Sequence, residues 1–231
     1  MSVLDSCLQS EADKHRRLAP WRPLGSYTGL VSEDAASPVA VGRPAGAAPA
    51  RRSDRRPGQT IRKVLDAGLE ELRESSYANL TMRAVATRAG VSPASAYTYF
   101  PSKSALVAAV YLRFLRDLPP RTDVNDTTKT RVSATLRDMA VVVADEPELT
   151  AACGAALMAD DPAVEPLREQ IGEEVARRIG AALGPGWPRA VKSTLQMTFS
   201  GALMTARFVS FPEIAGQLDE AVNLILGASV A

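Results

Sequence analysis

Histidine is nearly absent from this chain: His15 is the single example in 231 residues. Cysteine is almost as scarce. Cys7 and Cys153 stand far apart, so neither a disulfide framework nor a metal-ligand spacing is available. Without a histidine outside the first 50 residues, no Ser/His/Asp set can form in the folded part, and no metal site or cofactor is expected. No apolar run reaches 18 residues, so no membrane span is expected. The start of the chain lacks the basic-then-apolar order of a secretion signal. The protein therefore reads as cytoplasmic and reduced. Aromatics make up 5% of the chain, whereas apolar residues reach 46% and are dominated by Ala, Leu and Val, a balance that favours helices. No alternating, strand-type run occurs.

The formal net charge of +1 carries no message about partners, but its distribution does. Residues 1–50 hold five basic and five acidic side chains. Residues 51–118 hold twelve basic and six acidic, and residues 119–231 hold ten basic and fifteen acidic. A basic segment joined to an acidic one points to a polyanion at one end of the fold.

Residues 1–50 show no sustained period. Their Ala-, Pro- and Gly-rich stretch predicts a disordered extension, with room for a short helix near Leu4–Arg17. "RRSDRR" (residues 51–56) is a basic arm, in which Arg55 and Arg56 are candidates for phosphate contact, with a solvated linker as the alternative. Next, Ile61, Val64, Leu65, Gly68, Leu69 and Leu72 recur on one helical face. Thr81 is a credible N-cap for "MRAVATRA", and Gly90 suits its C-terminal stop. Ser92 offers a second N-cap, with Pro93 at the first helical position. Pro101 ends this short helix, and Ser102 caps a fourth with an apolar face at Leu106, Ala109, Val110, Phe114 and Leu115. Further helices are expected over 127–144, 147–159, 162–183, 188–210 and 212–228.

Two short helices around Gly90 make a helix-turn-helix candidate, whose second helix would enter the major groove. The N-terminus of that second helix presents Ser92, Pro93, Ala94 and Ser95, small residues that let the backbone approach DNA. The hydroxyls of Ser95, Tyr97 and Thr98 can reach phosphates or base edges. Lys103 places a cation in the first turn of the next helix, against the helix dipole, which marks a candidate functional position. Phe100 reads as core, Tyr99 as half core, and Tyr97 as a backbone contact in preference to packing.

At these residues the sequence resembles the TetR family of transcriptional regulators. The family's Ala-Gly-Val-Ser element appears at 89–92, and its Tyr-x-Tyr-Phe-x-x-Lys element runs from Tyr97 through Tyr99 and Phe100 to Lys103, with Leu106 beyond. The match covers about 55 residues, Gln59 to Phe114. The resemblance implies an all-α protein: an N-terminal three-helix DNA-binding domain over 51–116, with its motif at 81–100, followed by a larger helical ligand-binding and dimerisation domain over 117–231. It implies that Thr81, Met82 and Arg83 meet the DNA backbone, that Ser92, Pro93, Ala94 and Ser95 lie nearest the bases, and that Tyr97 and Lys103 clamp phosphates. Two departures stand out. Ala94-Ser95-Ala96 replaces the commoner Gly-Thr-Leu, and Gly68 replaces an alanine, at a helix-propensity cost of about 1 kcal/mol.

The final helices carry small residues among Met197, Phe199, Leu203 and Met204, a composition that suits pairing with a second copy. The expected partners are double-stranded operator DNA, a second copy joined through the last two helices, and a small hydrophobic effector. Met139, Val142, Val143, Cys153, Leu157, Met158, Met197 and Phe199 are candidates to line the effector pocket, with plain core as the alternative for each. Arg207 could meet a carboxylate or a dimer partner. The leading expectation is a dimeric repressor released from DNA by its effector. A helical enzyme or an interaction module without DNA binding is the alternative, and both have thin support. "GPGWP" (184–188) lacks the lysine and length of a phosphate loop, and Asp160-Asp161 before Pro162 looks like a helix start.

Overall fold

A computed structural model describes residues 56–144, 147–206 and 208–228. The chain divides into two units, Met1–Arg51 and Arg52–Ala231, and every described residue belongs to the second. Residues 1–50, Arg55 and Arg207, and the side chains of Arg56 and Val143, lie outside the description.

All regular structure among the described residues is helical. In chain order the helices are α1 (Arg56–Glu74), α2 (Met82–Ala89), α3 (Pro93–Tyr99), α4 (Lys103–Asp117), α5 (Thr128–Ala144), α6 (Pro147–Leu157), α7 (Glu165–Leu183), α8 (Arg189–Thr205) and α9 (Phe211–Ala228). The 3.6-residue period of α1 is used as the sequence indicates: Val64, Leu65, Leu69 and Leu72 are buried, and Ile61 is half-buried. This face packs on α2 and α4.

Two positions depart from the sequence reading. The apolar stripe expected on α4 is closer to a full sleeve. Ala105 to Ala108, Val110, Tyr111, Leu112 and Leu115 are all buried, while Ala109 and Phe114 are half-buried. The cause is its setting, because α4 touches α1 on one side and α5, α6 and α7 on the others. Gly68, read as a loss of helix propensity, turns out to be a packing requirement. A β-carbon there would sit 2.8 Å from Leu106 Cδ2 and 3.1 Å from its Cγ. Leu106 is fully buried and has little room to yield.

The far end of α4 is held by α7. Arg178, buried at 5% exposure, donates to the Leu118 carbonyl at 2.8 Å and the Arg116 carbonyl at 3.3 Å, and to Glu174 Oε1 at 2.6 Å. These bonds satisfy carbonyls that a helix C-terminus otherwise leaves open. Burial works to raise the Glu174 pKa, but hydrogen bonds from Arg177 and Arg178 override it and hold the carboxyl below the ordinary value.

Two outcomes test this packing. Gly68→Ala lowers unfolding free energy by about 1 kcal/mol, because overpacking outweighs the propensity gain; urea denaturation reads the sign. Glu174→Ala leaves Arg178 buried and unpaired, at a cost of about 3–5 kcal/mol. Because the folded carboxyl is depressed, its contribution is present above the unfolded pKa near about 4.3 and is lost as pH falls below it. The variant therefore shows a shallower acid dependence than the parent.

Candidate nucleic-acid interface

The geometry of α2 and α3 follows from four residues. Thr81 caps α2, its hydroxyl accepting from the Ala84 amide at 3.2 Å. Gly90 takes the left-handed conformation, φ 65° and ψ 36°, where an L side chain is strained. With Gly90 so placed, the Val91 amide donates to the Ala86 carbonyl at 3.0 Å and the Gly90 amide to Thr87 at 3.1 Å, which closes α2. Ser92 then caps α3, accepting from the Ser95 amide at 3.1 Å, and Pro93 occupies the first turn, where no donor is needed.

The inner side of α3 is fixed by Ala96, fully buried, and by Phe100 at its end, 6% exposed. Ala96 packs where the short helix lies against α1 and α2. Tyr99 is half-buried, as read from sequence. The outer side presents Ser92, Pro93, Ala94, Tyr97 and Thr98, with Ser95 half-buried beside them. Tyr97 is 50% exposed, and its phenol has no hydrogen-bond partner among the described residues.

Alongside, α2 offers Thr81, Arg83 and Thr87, all exposed, around a shallow concavity that Ala84, Arg88 and Glu71 complete. Arg88 is not available as a loose cation. Its Nε donates to Glu71 at 2.6 Å, and its two terminal nitrogens fork onto Glu74. Those bonds raise the guanidinium pKa, the Glu74 bond most, and lower that of Glu74. The sequence reading missed this tie between α1 and α2, because the residues are 17 and 14 apart.

Not every predicted contact residue lies on this face. Met82 is 4% exposed and part of the core between α1 and α2, so its thioether cannot meet a duplex while the head stays folded. Lys103 has an internal task. Its ammonium donates to the carbonyls of Tyr77 at 2.9 Å and Ala78 at 3.2 Å, and lies 4.7 Å from the centre of the Tyr77 ring. The Tyr77 and Ser104 hydroxyls share a hydrogen bond at 2.8 Å. The cation that violates the α4 dipole thus secures the α1–α2 loop.

One further contact links this region to the later helices. Asp161, in the α6–α7 loop, accepts from Ser102, the N-cap of α4, and from the Ala163 amide, and both bonds lower its pKa.

The pocket candidates separate by depth. Met139, Cys153 and Phe199 are buried in the core; Val142 and Leu157 are half-buried. Met158 and Met197 are 74% and 75% exposed, so they stand on the surface and not with the interior set, because they fall on the solvent sides of α6's end and of α8. Met139 borders a recess with Leu118, Thr135, Asp138 and Arg178 whose cavity volume is about 10 Å³.

A capped helix, a left-handed glycine turn and a second short helix with an exposed outer face define a helix-turn-helix protein. The sequence model of bacterial regulatory proteins of the tetR family matches residues 64–110. A protein of Mycobacterium tuberculosis described as an uncharacterised HTH-type transcriptional regulator is 51% identical over 180 residues, spanning 76% of this chain and 84% of its own. The HTH-type transcriptional repressor KstR of Rhodococcus jostii is 28% identical over 174 residues, spanning 72% of this chain and 82% of its own. The crystal structure of a TetR transcriptional regulator from a Rhodococcus species shares the fold with a TM-score of 0.65 at 22% identity, over 74% of this chain and 96% of that one. The chain belongs to the TetR family, and it is a transcriptional regulator, not an enzyme.

The role of Lys103 is testable apart from DNA. Lys103→Met removes two charge-assisted bonds and lowers unfolding free energy by about 2 kcal/mol; thermal melting without DNA reads this. An unchanged melting temperature contradicts the loop-tying role.

Proposed function

We propose that the protein is a dimeric repressor that binds operator DNA through α3 and is released by a small hydrophobic effector. The observation that carries the reading is the outer face of α3, open to solvent and held by two capping serines, with Thr81 and Arg83 one element away. Arg83, Thr81 and Tyr97 contact phosphates; Ser92, Pro93, Ala94, Ser95 and Thr98 meet base edges. The arm with Arg55 and Arg56 adds charge from sequence alone. In this reading residues 51–116 form the DNA-binding domain and 117–231 the effector and dimerisation domain, working in the cytoplasm. Repression is supported by the KstR relatives, which are HTH-type transcriptional repressors.

Dimerisation through α8 and α9 is supported by their solvent-facing composition. Met197, Leu224 and Phe208 of the intervening loop are 74–77% exposed, and the exposed Ser200, Gly201, Gly216 and Gly227 allow close approach of a second copy. A twofold pair of this kind sets two α3 helices about 34 Å apart.

Effector binding is supported by polar groups left inside the body. The Tyr111 hydroxyl on α4 is fully buried without a hydrogen-bond partner among the described residues, and Cys153 on α6 is fully buried too. Desolvation raises both pKa values, so both groups stay neutral. The recess of about 10 Å³ between α5, α7 and the segment that follows α4 admits no ligand larger than water, so effector entry there requires these elements to part. Such parting reaches the reading head through α4 and through the Asp161–Ser102 bond. By linkage, effector and DNA then weaken each other by the same factor.

A mobility-shift titration against duplexes from the chain's own upstream region yields a discrete complex. Tyr97→Phe weakens it roughly fivefold on all sequences alike, as loss of one backbone hydrogen bond implies. No complex on any genomic fragment at low salt overturns the reading.

A further inference from the structure

The reading helix lacks the side chains that usually read bases by paired hydrogen bonds. α3 consists of Pro, Ala, Ser, Ala, Tyr, Thr and Tyr, with no Arg, Lys, Asn, Gln, Asp or Glu. Guanine is ordinarily read by Arg or Lys, adenine by Asn or Gln, and cytosine by Asp or Glu. Thymine differs, since its 5-methyl group is read by apolar contact from Ala or from the methyl of Thr.

The hydroxyls on the outer face are also largely engaged. Thr98 Oγ1 donates to the Ala94 carbonyl at 2.8 Å. Ser92 Oγ accepts from the Ser95 amide at 3.1 Å and shares a hydrogen bond with Ser95 Oγ at 2.9 Å. Thr98 is exposed, and with its hydroxyl turned onto the backbone its γ-methyl is the group left to meet a ligand. Ala94 stands one turn earlier on the same face, also exposed, with the exposed ring of Pro93 next to it. The outer face is therefore a row of methyl and methylene groups beside the free phenol of Tyr97.

We infer that α3 selects its operator by packing the Ala94 β-carbon and the Thr98 γ-methyl against thymine 5-methyl groups in the major groove. This rests on the DNA-binding reading above and adds the base class it recognises. Each half-site carries thymine at the base pairs beneath α3. Specificity per base pair is modest, because one methyl contact discriminates less than a bidentate pair.

The test uses the full-length protein and the duplex it binds best in genome-wide mapping. Thymines at the same position of both half-sites are replaced together by deoxyuridine, which removes the methyl and keeps the pairing, and affinity is read by fluorescence anisotropy at fixed salt. Affinity falls about fourfold for each contacted methyl, the worth of one buried methyl group. Thr98→Ser, which keeps the hydroxyl and loses the methyl, weakens the parent duplex about fourfold at each half-site, about sixteenfold in all, and adds no loss on the duplex whose contacted thymines are already deoxyuridine in both half-sites. Thr98→Val, which keeps a methyl and loses the hydroxyl, binds the parent duplex within about twofold. A deoxyuridine series flat within twofold at every position, or Thr98→Ser losing equally on both duplexes, overturns the inference while DNA binding stands. No binding to any duplex removes both together.

Discussion

One helix is packed from every side. α4 packs against α1 on one side and against α5, α6 and α7 on the others, and its middle is buried all round. Interiors packed at crystal-like density transmit displacements and do not absorb them. The reading head therefore has no independent hinge at this point. It is fixed to the body by Leu106 against the bare backbone of Gly68, by the Lys103 ammonium on the Tyr77 and Ala78 carbonyls, and by Arg178 on the far end of α4. A change among α5, α6 and α7 reaches α3 because α3 leads directly into α4 through Pro101 and the Ser102 cap.

The electrostatics of the head are quieter than its sequence implies. Residues 51–118 carry twelve basic side chains against six acidic ones. Several of those cations are already matched: Arg88 by Glu71 and Glu74, Arg73 by Glu70, and Arg113 by Asp66. Pairs of this kind at the surface add little stability, but they remove positive field from the head. What remains exposed beside α3 is Arg83, and the arm at 51–56 supplies the densest basic cluster in the sequence. In the proposed reading, affinity from phosphates and selectivity from a methyl-lined helix are carried by different parts of the chain.

Much of this was legible in the sequence. The α2–turn–α3 unit could be read residue by residue, because Thr81, Gly90, Ser92, Pro93 and Ser102 are local signals whose meaning depends only on their neighbours. The later helices were found within a few residues for the same reason, since prolines and glycines punctuate them. What escaped depends on contacts distant in sequence. Gly68 reads as a weak helix former until Leu106, 38 positions later, is seen against it. Lys103 reads as a loose cation until its partners at 77 and 78 are in place. Met82, Met158 and Met197 show that a flexible apolar side chain does not announce its depth, because a shift of about half a helix turn moves it from core to solvent.

The central claim is that the outer face of α3, seated against α1 and α2, is the surface that meets DNA. Hydrogen–deuterium exchange of the intact protein, with and without its best-bound duplex, addresses it most directly. The account predicts slowed exchange in the segment 81–103, strongest over α3, with α8 and α9 unchanged. Slowing confined to the last helices, with 81–103 exchanging as in the free protein, would contradict it.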